Sequence, residues 1–200
     1  MGISQHVHGT DNARCLIALA LITGHIGRAG TVLHQLRGQN NVQGASDARL
    51  IPMSYADYEP VADPNIRSKY EDAWGRALDP VAGLTVVEIM HAIAEGSVKG
   101  MYVMGKNTAM SDPDQKRARF SLAALEHTVV QNIFMTETAW YADVVLPSSA
   151  QAEKLGTYIN SNRQVQMGRP FGICPVRPVK IGRLLMILQT AVALAGTMIV

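Results

Sequence analysis

The chain has 200 residues, of which 48% are hydrophobic and 17% are charged, and its formal net charge at pH 7 is +2. This composition is typical of one packed globular domain, or of parts of two, and excludes intrinsic disorder. The lysine and arginine residues are scattered without a basic run, so binding to nucleic acid is not expected.

The first predicted element is a helix over residues 11–23, capped by Thr10 or Asp11. Apolar residues occupy most sides of this helix, which is the pattern of a buried helix. They are Leu16, Ile17, Leu19, Ala20 and Leu21.

Residues 32–80 are rich in Asn, Gln, Asp, Pro and Tyr and have little periodicity. Apart from a short helix predicted over residues 66–74, this stretch is expected to be an ordered loop. A loop of that length inside a compact protein is usually functional, or else hides an element.

The pattern then becomes that of an α/β protein. Helices are predicted over residues 85–95 and 112–126, and strands over residues 100–104, 127–131 and 142–146. Short, continuously apolar strands separated by helices predict a parallel sheet covered by helices on both faces.

Residues 184–200 form an almost wholly apolar tail. Crossing a bilayer takes about 20 apolar residues, so the run is slightly short. A buried or poorly folded C-terminal helix is favoured over a membrane anchor, and membrane association is not expected.

Cys15 and Cys174 are the two cysteines, and they form no CxxC pair. That spacing excludes a local iron–sulfur or zinc site of the usual kind. Both are expected to be reduced, buried thiols of a cytoplasmic protein. Residues 1–9 have neither the basic start nor the apolar core of a signal peptide.

The most informative run is RGQNNVQGA, residues 37–45, which places four carboxamides between two glycines. Such side chains offer both donors and acceptors and suit the edge of a pterin or purine. Arg37 adds a planar fork that fits a carboxylate or phosphate. A solvated turn region is the alternative, because Asn and Gly are common in turns.

Three further runs are polar where a ligand is expected. MGKN, residues 104–107, directly follows a predicted strand. Beyond the next predicted strand lie Gln131, Asn132, Thr136 and Thr138. Ligands of parallel α/β sheets lie beyond the carboxyl ends of the strands. The third run, residues 156–166, is again rich in amides, although its members taken singly are more typical of turns.

Together these runs resemble the bis-molybdopterin-guanine-dinucleotide oxidoreductases, and most closely the formate dehydrogenase catalytic subunit. The stretches that carry the resemblance are MGISQHVHGTDNARCLIALALITGHIGRAG, LRGQNNVQGASDARLIP, YVMGKNTAMSDPD, VVQNIFMTETAWYADVVLP and EKLGTYINSNRQVQMGRP. The likeness spans about residues 1–170 and fades after Arg169.

The resemblance implies a Rossmann-like α/β/α fold in which the chain is an internal piece of a longer subunit. Residues 1–36 would end one cofactor-binding domain, and residues 37–150 would form a second. Residues 151–180 would be a strand and loop segment of an adjoining domain, and residues 181–200 a tail of uncertain origin, for example from a frameshift.

The resemblance also implies site roles. Arg37 matches the family's arginine beside the molybdenum or tungsten, which orients formate during its oxidation to carbon dioxide. Electrons then pass to a 4Fe-4S cluster and to electron-transfer subunits. The implied cofactor-contacting residues are Gln39, Asn40, Asn41, Gln43, Gly105, Asn107, Gln131, Thr136, Asp143, Gly156, Thr157, Asn160 and Arg163.

Several departures from the family pattern matter. The iron–sulfur cysteine cluster and the metal-ligating Cys or selenocysteine with its His are missing, so the piece alone is expected to be inactive. Arg49, Lys106 and Asn132 replace a usual small residue and two usual acidic residues. A nitrate reductase-like enzyme or a non-catalytic structural or electron-relay relative is the alternative, although Arg37 argues against a structural subunit.

Overall fold

The structure is a computed structural model that describes residues 2–48 and 50–173. The bounds of the helices and strands in these residues are α1 Gly9–Ile22, α2 Val42–Asp47, α3 Pro64–Trp74, α4 Val86–Ala94, β1 Gly100–Met104, α5 Thr108–Ser111, α6 Gln115–Ala124, β2 His127–Asn132, β3 Val144–Pro147, β4 Gly156–Ile159 and β5 Val165–Gly168.

The described residues divide into two compact units. The first unit comprises residues 2–48, 50, 56–58 and 157–167, and the second comprises residues 51–55, 59–156 and 168–173. The domain limits predicted at residues 36, 150 and 180 stay a prediction.

The second unit contains a three-stranded sheet in the order β1-β2-β3, and both pairings are parallel. Tyr102 lies opposite Val129, and Val130 lies opposite Val145. The predicted parallel α/β fold is therefore confirmed.

Helices α4 and α6 pack on one face of this sheet. Met90 and Ile93 of α4 and Ala118 of α6 are buried together with Met101 of β1 packed against them. On the opposite face Met104 is 39% exposed and Val144 is 41% exposed. The predicted cover by helices is therefore seen for α4 and α6, and helical cover of both faces stays a prediction.

Local signals explain why α3 and α4 begin where they do. Thr85 and Glu88 form a reciprocal capping box, in which the Glu88 carboxylate accepts from the Thr85 N–H at 2.7 Å and the Thr85 hydroxyl accepts from the Glu88 N–H at 3.4 Å. The Asp63 carboxylate accepts from the Asn65 N–H at 2.8 Å. Both predicted helices are confirmed, and α3 begins two residues earlier than expected.

The prediction for α1 is wrong in two respects. The helix begins at Gly9, its N-cap is His8, and no side chain caps it. Its apolar residues are exposed rather than buried, with Leu19 57% and Ile22 83% accessible. A helix that is apolar all round must be packed by several elements, and the described first unit supplies few. Cys15 on this helix is exposed as well, so the expected buried thiol is wrong.

The predicted helix over residues 112–126 corresponds to α6, which begins at Gln115, and the short helix α5 before it was not predicted. Asp112 is extended, with φ −77° and ψ 146°, because the following residue is Pro113 and disfavours the helical conformation before it. The Asp114 carboxylate then starts α6 by accepting from the Arg117 N–H at 3.1 Å.

Other boundaries also differ from the sequence-based expectation. Residues 42–47, expected within a loop, form the helix α2. Gln131 and Asn132 lie inside β2 and not beyond it. The expectations for Cys174 and for residues 184–200 lie outside the described residues. Among the residues that are described, no helix is both long enough and apolar enough to cross a membrane.

Candidate functional site

In the first unit, the guanidinium of Arg37 is held by a side chain of α2. Its Nη2 donates to Gln43 Oε1 at 3.0 Å, and Gln43 Nε2 donates to Asp47 Oδ1 at 2.8 Å. Gln43 and Asp47 are four positions apart and therefore share one face of the helix. Gln43 is only 6% exposed. These two hydrogen bonds form a relay from Arg37 through Gln43 to Asp47. The relay holds one edge of the guanidinium in place and leaves its other N–H groups available as donors to a ligand.

The remaining amides of the run have different roles. Asn41 binds the backbone of β4, since its Nδ2 donates to the Thr157 carbonyl at 3.2 Å and its Oδ1 accepts from the Ile159 N–H at 3.0 Å. Gln39 and Asn40 are exposed. The run thus contains two structural amides, Asn41 and Gln43, and two amides at the surface.

The strands β4 and β5 carry the third predicted run. The Asn160 carboxamide oxygen accepts from the Gln164 N–H at 2.9 Å and so closes the turn between the strands. Arg163 in this turn has φ +62°, an unusual conformation for a residue with a side chain, and its Nη2 lies 3.4 Å from Asp47 Oδ1. Gly156 opens β4. Asn160 serves as a turn former, and Arg163 joins the Asp47 end of the relay.

In the second unit, two loops meet at the carboxyl edge of the parallel sheet. The Gly105 N–H donates to the Gln131 carbonyl at 2.9 Å. Asn107 Oδ1 accepts from the Thr138 N–H at 3.2 Å and from its hydroxyl at 2.8 Å, and that hydroxyl also accepts from the Ala109 N–H at 3.0 Å. The structure therefore brings together the predicted residues Gly105 and Asn107 with the segment that contains Thr136.

The same edge contains an acidic residue that sequence reasoning missed. Asn107 Nδ2 donates to Glu137 Oε2 at 2.6 Å. This hydrogen bond lowers the pKa of the Glu137 carboxyl, as do the Glu137 backbone N–H and the charge of Arg119, while desolvation acts in the opposite direction. The sequence feature that could have indicated Glu137 is its position between two threonines shortly after a buried strand.

Two hydroxyls at this edge are buried without a hydrogen-bond partner in the described residues: Thr108 Oγ and Thr136 Oγ. Thr108 is only 1% exposed. Leaving such a group unsatisfied costs about 1–3 kcal/mol, so a ligand that brings acceptors fits this edge. Nearby, Lys106 Nζ pairs with Asp112 Oδ1 at 2.7 Å.

The side chains of two further predicted residues are engaged within the second unit. Gln131 is 0% exposed, and its Oε1 accepts from the Tyr102 hydroxyl, whose pKa is raised by burial. The Asp143 carboxylate accepts from the Thr128 N–H at 2.6 Å. Asp143 precedes β3 and Thr128 lies near the start of β2, so this contact is at the amino edge, away from Asn107.

Across residues 2–48 and 50–173, no three or more His, Cys, Asp or Glu side chains are grouped so that they could hold a metal ion.

A parallel α/β sheet with glycine- and amide-bearing loops at its carboxyl edge defines the class of α/β proteins that bind ligands at that edge. The sequence comparison specifies the family. The molybdopterin oxidoreductase model matches residues 1–177, and the chain belongs to that family.

Formate dehydrogenases are among its relatives. The alpha subunit of the F420-dependent formate dehydrogenase of Methanocaldococcus jannaschii is 45% identical over 169 residues, which are 84% of this chain and 25% of the relative. Formate dehydrogenase H of Escherichia coli is 38% identical over 83% of this chain and 23% of its own length. A putative formate dehydrogenase of Bacillus subtilis is 40% identical over 83% of this chain and 17% of its own length. The chain therefore spans about a quarter or less of the relatives it matches.

Proposed function

We propose that the chain is part of the catalytic subunit of a cytoplasmic formate dehydrogenase. It would contribute to binding a bis-molybdopterin guanine dinucleotide with molybdenum or tungsten. Identities of 38–45% to formate dehydrogenases support the substrate. The observation that carries the proposal is the oriented guanidinium of Arg37, held through Gln43 by Asp47.

Arg37 is proposed to orient formate. A guanidinium presents parallel N–H donors that match the two oxygens of a carboxylate. Because Gln43 engages one edge of the group, the remaining donors point in a set direction, and less arginine side-chain freedom is lost when the substrate binds. Oxidation of formate to carbon dioxide releases two electrons and one proton, and the bound metal cofactor supplies the two-electron chemistry.

The electrons would leave through a 4Fe-4S cluster to electron-transfer subunits. The two cysteines of this chain are too few for the four thiolates of such a cluster, so its ligands belong to other parts of the enzyme.

Each unit, taken by itself, offers groups that would suit a pterin dinucleotide. In the first unit the exposed amide of Gln39 would contact such a group, and a contact by Asn40 stays a prediction. In the second unit, the unsatisfied hydroxyls of Thr108 and Thr136 beside Gly105 offer donors to a phosphate or a sugar. The donor set of the carboxyl edge therefore fits a dinucleotide. Contacts by Gln131, Asp143, Gly156 and Asn160 stay predictions.

The test is Arg37→Ala in the holoenzyme that contains this segment. Turnover of formate should fall by about 100-fold or more, because orientation is lost, while the molybdenum or tungsten content stays unchanged. Arg14→Ala is the matched control, since Arg14 is an exposed arginine paired with Asp11 on α1 and should leave turnover unchanged. Unchanged turnover in the Arg37 variant would remove the assignment.

A second measurement concerns the chain alone. The purified 200-residue chain should hold little metal and show no formate-dependent dye reduction, because the chain lacks the metal-ligating Cys expected for the family. Stoichiometric molybdenum in that preparation would contradict this expectation.

A further inference from the structure

Glu137 lies at the carboxyl edge of the parallel sheet, in the loop that follows β2. Its Oε2 accepts from Asn107 Nδ2 at 2.6 Å. Because the carboxylate is at the surface and has several lone pairs, this one contact leaves acceptor capacity for a ligand. A fixed carboxylate at the ligand edge of a parallel sheet is a recognition group for N–H or O–H donors.

Asn107 orients this carboxylate. Its Oδ1 accepts hydrogen bonds from the N–H and the hydroxyl of Thr138. Thr138 is 0% exposed. With the oxygen so engaged, the Nδ2 group must point towards Glu137. Asn107 is therefore a positioning residue: its carboxamide is committed within the protein, and the group that it presents to a ligand is Glu137.

Exposed apolar side chains occur in the two loops that contain these residues. Asn107 Nδ2 is 3.8 Å from the sulfur of Met110, which is 59% exposed. Phe134 and Met135, in the same loop as Glu137, are 73% and 58% exposed. Exposed Met and Phe side chains beside a fixed acceptor suit a flat heteroaromatic ring, which can stack on the sulfur or the ring while its edge meets the carboxylate.

We propose that Glu137, positioned by Asn107, selects the 2-amino-4-oxopyrimidine edge that guanine and pterins share. That edge places an N–H and an NH₂ donor side by side, and one carboxylate can accept from both. Adenine and cytosine instead place a ring-nitrogen lone pair beside their amino group, which repels a carboxylate. The inference rests on the proposed function and adds to it the residue that discriminates the base.

The test is a ¹⁵N–¹H NMR titration of the 200-residue chain with GMP, AMP and CMP, and separately with pterin-6-carboxylate. Guanosine monophosphate should shift the amide signals of residues 105–109 and 136–138 and bind at least about 10-fold more tightly than AMP or CMP, a difference of about 1.4 kcal/mol. If pterin-6-carboxylate binds more tightly than GMP and shifts the same signals, the shared edge is still selected and the pterin is its source.

Glu137→Gln should remove the preference, because a carboxamide offers only one acceptor group. The melting temperature reports that the variant is folded. Glu126→Gln is the matched control, since Glu126 is an exposed glutamate paired with Lys99, and it should keep the preference.

Asn107→Asp tests the positioning role. It places a second carboxylate against Glu137 and should weaken GMP binding, whereas adding Glu137→Gln to it should cost no further affinity, because both residues act through one contact. Additive losses would overturn the positioning role. If the Glu137→Gln variant still binds GMP more tightly than AMP, selection by Glu137 is overturned and the proposed function stands. Absence of any nucleotide or pterin binding at this edge would overturn both.

Discussion

Asn107 and Thr138 are 31 positions apart in the sequence, yet two hydrogen bonds join them, one from the Thr138 N–H and one from its hydroxyl. The same hydroxyl accepts from the Ala109 N–H. Thr138, in the loop after β2, therefore provides hydrogen bonds to two residues that follow β1. Because Thr138 is 0% exposed, water cannot replace its hydroxyl.

Thr138→Val should therefore lower the free energy of unfolding by about 1–3 kcal/mol, since the Ala109 N–H and the Asn107 oxygen lose a buried partner. Valine is close to threonine in size, so packing changes little. Thr138→Ser keeps the hydroxyl and is the control. Urea unfolding of both variants measures the effect, and equal stabilities would show that the hydroxyl contributes nothing.

The helix α6 offers a test of which residues form the core of the second unit. Leu122 is 1% exposed, and Phe120 of the same helix is 65% exposed. Leu122→Ala should cost about 2–5 kcal/mol through lost burial and a cavity. Phe120→Ala should change stability by less than about 0.5 kcal/mol. Comparable losses in the two variants would mean that the exposed face of α6 is packed in solution.

The parallel sheet was predictable because its signals are local. The run 100–104 is apolar and is bounded by turn residues, and Thr85 with Glu88 is a capping box that can be read from spacing alone. The start of α6 was predicted three residues too early, because Asp112 is extended before Pro113 and the helix is capped by Asp114.

The roles of the amides could not be read from the sequence. Gln39, Asn41 and Gln43 are chemically alike, and burial decides between them: Gln43 is 6% exposed, whereas Gln39 is at the surface. The partners of Asn41 are Thr157 and Ile159, more than 100 positions away. Pairings over that separation depend on the tertiary fold, so local spacing carries no signal for them.

The reactivity of Cys15 tests whether α1 is exposed to solvent, since the apolar pattern of this helix predicted that it is buried. Because its thiol is exposed, the native chain carrying Cys174→Ser should react fully with a maleimide, at a rate close to that of the urea-unfolded chain. The matched variant Cys15→Ser, Cys174→Ser gives the background. Protection of Cys15 by 100-fold or more, on the order expected for a thiol that reacts only through opening of the fold, would mean that α1 is covered in solution.

The capping box of α4 predicts a pH dependence of stability. The hydroxyl and the backbone N–H of Thr85 both donate to the Glu88 carboxylate, and these hydrogen bonds lower its pKa below the ordinary value of 4.5. A carboxyl whose pKa is lowered by folding stabilises the fold at pH values above its unfolded pKa. That contribution is lost as the pH falls through the lowered folded value.

Glu88→Gln should therefore be less stable than the native chain at pH 7, and the difference should shrink as the pH falls below 4.5, because the protonated Glu88 resembles glutamine. The negative charge also favours the start of a helix, where the helix dipole is positive. Glu95→Gln, at the C-terminal end of α4, removes a charge from the negative end of that dipole and should not destabilise the chain at pH 7. Thermal unfolding of all three chains between pH 3 and pH 7 measures these differences. If the Glu88→Gln difference stayed the same over this range, the carboxylate charge would have no part in starting α4.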